Sequence, residues 1–304
     1  MRPARALGLY VAVVFLGGGL LAPWLYWLVQ ASGDSLAGLA DKPFHRYVNR
    51  AMLVLALAGM WPLLRAFGAR SPREFGLVHP AGQWRRLLGG FSLGLASLAV
   101  VAGASFLFGV RQLAPELSPG EVARRLLAGA LTAVSVSLIE ETLFRGAIFG
   151  AFRQVTHWVN ALLISSAIYA ILHFLESAKQ VGEVHWYSGL ALLPRMLRGF
   201  ADVERVVPGF FNLTLAGALL AFAYQRTGTL YFSIGLHAGW IFWLRVYGAL
   251  TDTASPPGAW FWGTDRMTDG WLALPVLASA LWILHRRWRP PANTAKEEKH
   301  DTID

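Results

Sequence analysis

Five stretches of the chain, residues 6–30, 87–110, 158–175, 206–225 and 227–244, run for 18 residues or more without an aspartate, glutamate, lysine or arginine. A run of that length is about what a helix needs to cross the hydrocarbon core of a bilayer, where only helices and closed barrels satisfy their own backbone polar groups. Recurrence of such runs along one chain excludes a soluble core as their common cause. It also explains why 15% of the 304 residues are charged and 55% hydrophobic, where a soluble domain carries about a quarter charged residues. The expected fold is all-α: a polytopic membrane helical bundle of about eight transmembrane helices. The helices are expected near 7–30, 48–67, 87–110, 124–152, 157–176, 208–226, 228–248 and 269–286.

The first run is longer than a signal-peptide apolar region and lacks a small-x-small cleavage site, so it reads as a retained helix. The second and eighth spans have shorter charge-free centres, 51–64 and 271–284, and rely on flanking arginines snorkelling to the interface. Trp24, Trp27, Trp158, Trp262 and Trp271 lie near proposed helix ends, where an aromatic belt belongs. Gly90 and Gly94 form a small-xxx-small pair suited to close helix packing. There is no cysteine, which removes disulfides, thiolate nucleophiles and cysteine metal sites.

The formal charge of +9 is distributed as a membrane protein requires, so no nucleic-acid partner is expected. Arg2 and Arg5, then Arg65, Arg70, Arg73, Arg85 and Arg86, then Arg286, Arg287 and Arg289 fall on alternate connections, as the positive-inside rule demands. The opposite connections hold Asp34, Asp41, Glu116, Glu121, Asp252, Asp265 and Asp269, with Lys179, Arg195, Arg198 and Arg205 as the exception. Both termini are therefore expected in the cytoplasm and the protein in a bacterial inner (cell) membrane. The chain divides into helices 1–3 (1–119), a core at 120–250 containing an insertion at 177–207, an outer loop with the last helix (251–288), and a polar tail (289–304). Within the insertion, 186–200 is amphipathic and suits a helix lying in the interface, a candidate guide for substrate. No internal repeat indicates an inverted-repeat transporter.

The chemistry resides in three helices. The fourth carries Glu140, Glu141 and Arg145. A charge at the centre of a membrane helix costs about 2.5–3.5 kcal/mol on insertion scales. Glu141 and Arg145, at i and i+4, face each other as an ion pair. Glu140 points about 100° away and lacks that partner, which makes it the candidate general base. The fifth helix carries Tyr169 and His173 on one face, with Tyr169 read as a packing or supporting hydrogen-bond residue; the seventh carries His237. Counted from the cytoplasmic ends, His237, Glu140 and His173 lie at depths of roughly 14, 18 and 24 Å, close enough for helix tilt to bring them together.

Glu-Glu-x-x-x-Arg, then aromatic-x-x-x-His, then a histidine on a later helix resembles the CAAX-processing and bacteriocin-processing (CPBP, or Abi) family of intramembrane proteases, which includes the type II CAAX prenyl endoproteases. The resemblance covers about 120–245 and includes 217–240 with its Tyr224 lead-in. It implies a hydrolase acting on a membrane-associated protein or peptide. Glu140 would activate water, Glu141 and Arg145 would support it, His173 would position the water, and His237 would stabilise the oxyanion. Two positions depart from the pattern: Tyr169 replaces the usual Phe, and Ile241 stands where an Asn or Asp follows the last histidine. Trp240 N–H, a backbone N–H or Asn212 are the candidate replacements for that missing donor. The family is also described as metal-dependent, and Glu140, His173 and His237 could ligate Zn²⁺. The reading preferred here needs no cofactor. A non-catalytic scaffold or bacteriocin-immunity protein that keeps these residues as a polar core is the alternative, and a proton-coupled transporter is a more distant one.

Overall fold

The computed structural model describes residues 3–114, 117–176, 182–254, 258–264 and 266–288. The tail 289–304, together with Arg2, Glu116, Lys179 and Asp265, lies outside the described residues. The long helices occupy the expected order: α1 (Arg5–Ala31), α2 (Phe44–Ala66), α3 (Trp84–Leu107), α4 (Pro119–Arg153), α5 (Trp158–Leu172), the short α6 (Ser188–Met196), α7 (Val203–Thr227), α8 (Tyr231–Leu250) and α9 (Ala273–Arg287). The protein is a polytopic membrane helical bundle. α1–α4 and α7 are long and apolar enough to cross a bilayer; α5 is apolar but shorter. On α4, Leu127, Leu131 and Val134 form a stripe more than 60% exposed, as side chains facing lipid tails do.

α8 falls outside the strongly apolar set because Arg245, with histidine, tyrosine, tryptophan and glycine, dilutes its hydropathy. It lies in the interior, packed against α3 and α4. The α3–α8 crossing is a backbone-to-backbone contact. A Cβ on Gly90, Gly94, Gly235 or Gly239 would run into the carbonyl oxygen of Phe232, Leu236, Leu87 or Phe91 respectively. The expected packing role of Gly90 and Gly94 is found there, completed by a second glycine pair on α8 that brackets His237.

Several boundaries differ from expectation: α2 and α4 begin four and five residues early, and three others have a local cause. α5 ends at Leu172, with His173 at its C-cap, because the chain turns away and Glu176 N–H bonds the Met196 carbonyl at 3.0 Å. α7 begins five residues early, where the Asp202 side chain accepts from Arg205 N–H and tolerates Pro208 within the first turns. α9 begins late because Asp269 is committed to a turn, accepting from the Thr264 amide at 2.8 Å and its hydroxyl at 2.6 Å.

The all-α expectation also misses a small antiparallel pair. β1 (Arg111–Leu113) and β2 (Thr251–Thr253) join the ends of α3 and α8, with Arg111 opposite Thr253. Three-residue strands are too short to show period-2 alternation in a sequence. Arg111 is buried there, donating to the Thr251 and Thr253 hydroxyls and lying 5.1 Å from the Tyr247 ring centroid. On the other face, Leu230 N–H bonds the Gly76 carbonyl and Tyr231 hydroxyl bonds the Val78 carbonyl. Helix ends therefore meet on the two alternate sides that a serpentine path through a membrane requires. α6 lies against α1, where Gly189 touches Gly19 and Leu192 joins Val14, Ala22, Tyr47 and Val48.

Candidate active site

The α4 helix changes its hydrogen-bonding pattern immediately after Glu141. Thr142–Phe149 is a π-helical segment, a widening of the helix that is rare and concentrated at functional sites. It carries Arg145 into the protein, where Nη1 donates to Glu141 Oε1 at 2.8 Å and Nη2 to the Gly217 carbonyl at 3.3 Å. Gly217 permits this because α7 passes so close to α5 that a Cβ there would press on Ser166. The guanidinium also lies 4.7 Å from the centroid of the Tyr169 ring. Glu141 is 0% and Arg145 2% exposed, so the expected ion pair exists and is fully desolvated.

Glu141 has a second task. Its Oε1 accepts from His237 Nδ1 at 2.9 Å. A carboxylate already paired with arginine accepts only, so Nδ1 carries the hydrogen and, in the neutral ring, Nε2 presents a lone pair to the interior. His173 Nδ1 lies 2.8 Å from the Tyr169 carbonyl oxygen, which likewise can only accept. The His173 Nε2 lone pair is therefore also turned inward. Between the two rings stands Glu140, its Oε2 3.9 Å from His237 Nε2 and 4.0 Å from His173 Nε2. That Oε2 is buried with no hydrogen-bond partner in the protein. Three residues from three helices thus converge on one point.

They border a cavity of about 530 Å³. Thr132, Val136 and Glu140 line it from α4, His237, Ile241, Leu244 and Arg245 from α8, and Arg266 and Thr268 from the following segment. These positions lead from the glutamate toward the face that carries β1 and β2. On α4 the lining stripe adjoins the exposed apolar stripe of Leu127, Leu131 and Val134. No residue of α6 lines it.

The spacing separates a held water from a held metal. Two ligands at about 2.0–2.1 Å from a tetrahedral zinc stand about 3.3 Å apart, closer than the 3.9 and 4.0 Å found here. Two hydrogen bonds of about 2.8 Å meeting at roughly a right angle span 4.0 Å. Among the described residues no cluster of His, Asp or Glu is tight enough to hold a metal ion. As they stand, Glu140, His173 and His237 do not fit a tetrahedral zinc.

Residues 122–243 match the family model described as type II CAAX prenyl endopeptidase Rce1-like. The α4–α8 core of this chain is similar to that family. Glu140, Glu141, Arg145, His173 and His237 all lie inside the Rce1-like match. No curated protein and no solved structure matches the chain. The Rce1-like family is one of membrane proteases, and the long apolar helices make this an integral membrane protein.

Two donors suggested by the sequence are already committed. Trp240 Nε1 donates to Ser97 Oγ at 2.9 Å. Asn212 Nδ2 donates to the Thr268 and Gly270 carbonyls at 2.8 and 2.7 Å. Ile241 lines the cavity as an apolar wall. Sequence reasoning passed over Arg245 and Arg266 as cavity residues. Arg245 had a signal, since it follows His237 by eight positions and so shares its face; Arg266 had none.

Proposed function

We propose that this protein is an intramembrane endopeptidase that hydrolyses a membrane-associated protein or peptide with water activated by Glu140. The observation that carries this reading is the orphaned Glu140 Oε2 between two histidine Nε2 atoms, within a cavity that opens to one membrane face. A water there donates one proton to Glu140, and its oxygen adds to the scissile carbonyl carbon. Glu140 then returns the proton to the departing nitrogen as the C–N bond breaks, leaving a carboxylic acid and an amine. Glu141 and Arg145 hold the His237 ring, and His173 orients the water from the opposite side. No acyl-enzyme forms, since the step uses no protein nucleophile, and no metal is needed. The arginine-rich face is assigned to the cytoplasm by the charge rule; the cavity then opens outward.

The test is cleavage of a peptide library by full-length protein purified in detergent, read by mass spectrometry. Products made by the wild type and absent with both Glu140→Gln and Glu140→Ala support the reading. Products that persist in both variants, or a wild type that is folded and cleaves nothing, refute it and return the chain to a non-catalytic role.

A further inference from the structure

Hydrolysis through a tetrahedral intermediate places a negative charge on the former carbonyl oxygen, and a site that accelerates it aims hydrogen-bond donors there. The groups around Glu140 are short of donors. Glu140 accepts only. As neutral rings, His237 spends Nδ1–H on Glu141 and His173 spends Nδ1–H on the Tyr169 carbonyl, which leaves both Nε2 atoms as acceptors. Trp240 N–H is held by Ser97, the Asn212 amide by two carbonyls, and Ile241 has nothing to offer.

The exception is the Tyr169 hydroxyl. The residue lines the cavity, is 4% exposed, and its oxygen lies 3.4 Å from His237 Nε2. That contact is long for an O–H donor and is easily exchanged for a better acceptor. The ring is fixed by the Arg145 guanidinium at 4.7 Å and by the edge of Phe144 at 5.0 Å. A cation against the ring withdraws electron density and makes the phenol O–H a stronger donor. The proton count also closes. Glu140 Oε2, His173 Nε2 and His237 Nε2 are three acceptors; one water supplies two protons and Tyr169 the third.

We propose that Tyr169 is a catalytic residue whose hydroxyl turns from His237 Nε2 to the developing oxyanion. This rests on the endopeptidase reading and adds to it the donor that the reaction requires. Ile241 lies one turn beyond His237 on the same cavity wall, so an amide placed there reaches the same space.

The experiment compares wild type, Tyr169→Phe, Ile241→Asn and the double variant, each full-length in detergent, on a peptide the wild type cleaves. Tyr169→Phe is expected to lower kcat by about 10²–10³-fold with KM within about threefold. The double variant is expected to recover at least about tenfold of that loss. Thermal stability serves as the control, because the ring and its stacking on Arg145 are retained. Where Tyr169→Phe proves misfolded, fluorotyrosine at position 169 replaces it, and a kcat that follows phenol acidity is the supporting result. An unchanged kcat in Tyr169→Phe, or in the fluorotyrosine protein used in its place, overturns the inference and leaves the endopeptidase reading intact. So does a loss that Ile241→Asn does not restore. Absence of cleavage by every form, wild type included, removes the endopeptidase reading and this inference with it.

Discussion

Glu140 and Glu141 are neighbours in sequence, yet the structure predicts opposite responses to the same substitution. Glu141→Gln removes the carboxylate paired with Arg145, in a place where both side chains are essentially inaccessible. Removing one partner of a buried pair costs about 3–5 kcal/mol, because the other charge is left without compensation. The His237 ring loses its charged acceptor at the same time. Applied to a thermal transition, that loss corresponds to a fall in Tm of roughly 6 °C or more. Glu140→Gln is different. Its Oε2 has no partner to lose, and replacing a carboxylate by an amide relieves the cost of holding charge inside the membrane. Its Tm should match or exceed that of the wild type, while cleavage disappears. The assay is thermal unfolding in detergent followed by tryptophan fluorescence, with size-exclusion recovery after heating as a second readout. Equal destabilisation by the two variants, or no effect of Glu141→Gln, would refute the division of labour between structural and reactive glutamate.

Chelators should leave cleavage within about twofold of the untreated rate, because the Glu140–histidine spacing suits water; loss with recovery on adding zinc would reverse that conclusion. Gly235→Ala should destabilise by about 1–3 kcal/mol, since its Cβ meets the Leu87 carbonyl, while Gly103→Ala, which opens onto free space, should not; unfolding curves for the two decide it. Arg245→Gln should raise KM for peptides bearing a carboxylate about three to four residues from the cut. Arg245 lies two helical turns, about 12 Å, from His237, a distance an extended chain covers in that many residues. Comparing free-acid with amide peptides checks this, and an equal KM change for both would count against it.

Much of the fold was legible because a bilayer imposes a demand that a sequence states openly. A helix must carry about 20 apolar residues, and the charge-free runs mark where α1, α3 and α7 lie. Spacing also sufficed for Glu141 and Arg145, since i,i+4 neighbours on a helix meet whatever surrounds them. The end of α5 at His173 was not legible, because a contact between Glu176 and Met196, distant along the chain, sets it. The strand pair at Arg111 was hidden for the same reason, with its two halves far apart in sequence. The sequence by itself determined the class of fold and the list of candidate site residues, since both follow from local composition and periodicity. Only the tertiary structure decided which nitrogen of each histidine faces the cavity and which donors are already spent. Those depend on which carbonyl, carboxylate or hydroxyl another helix brings within 3 Å, a matter of packing that no local pattern encodes.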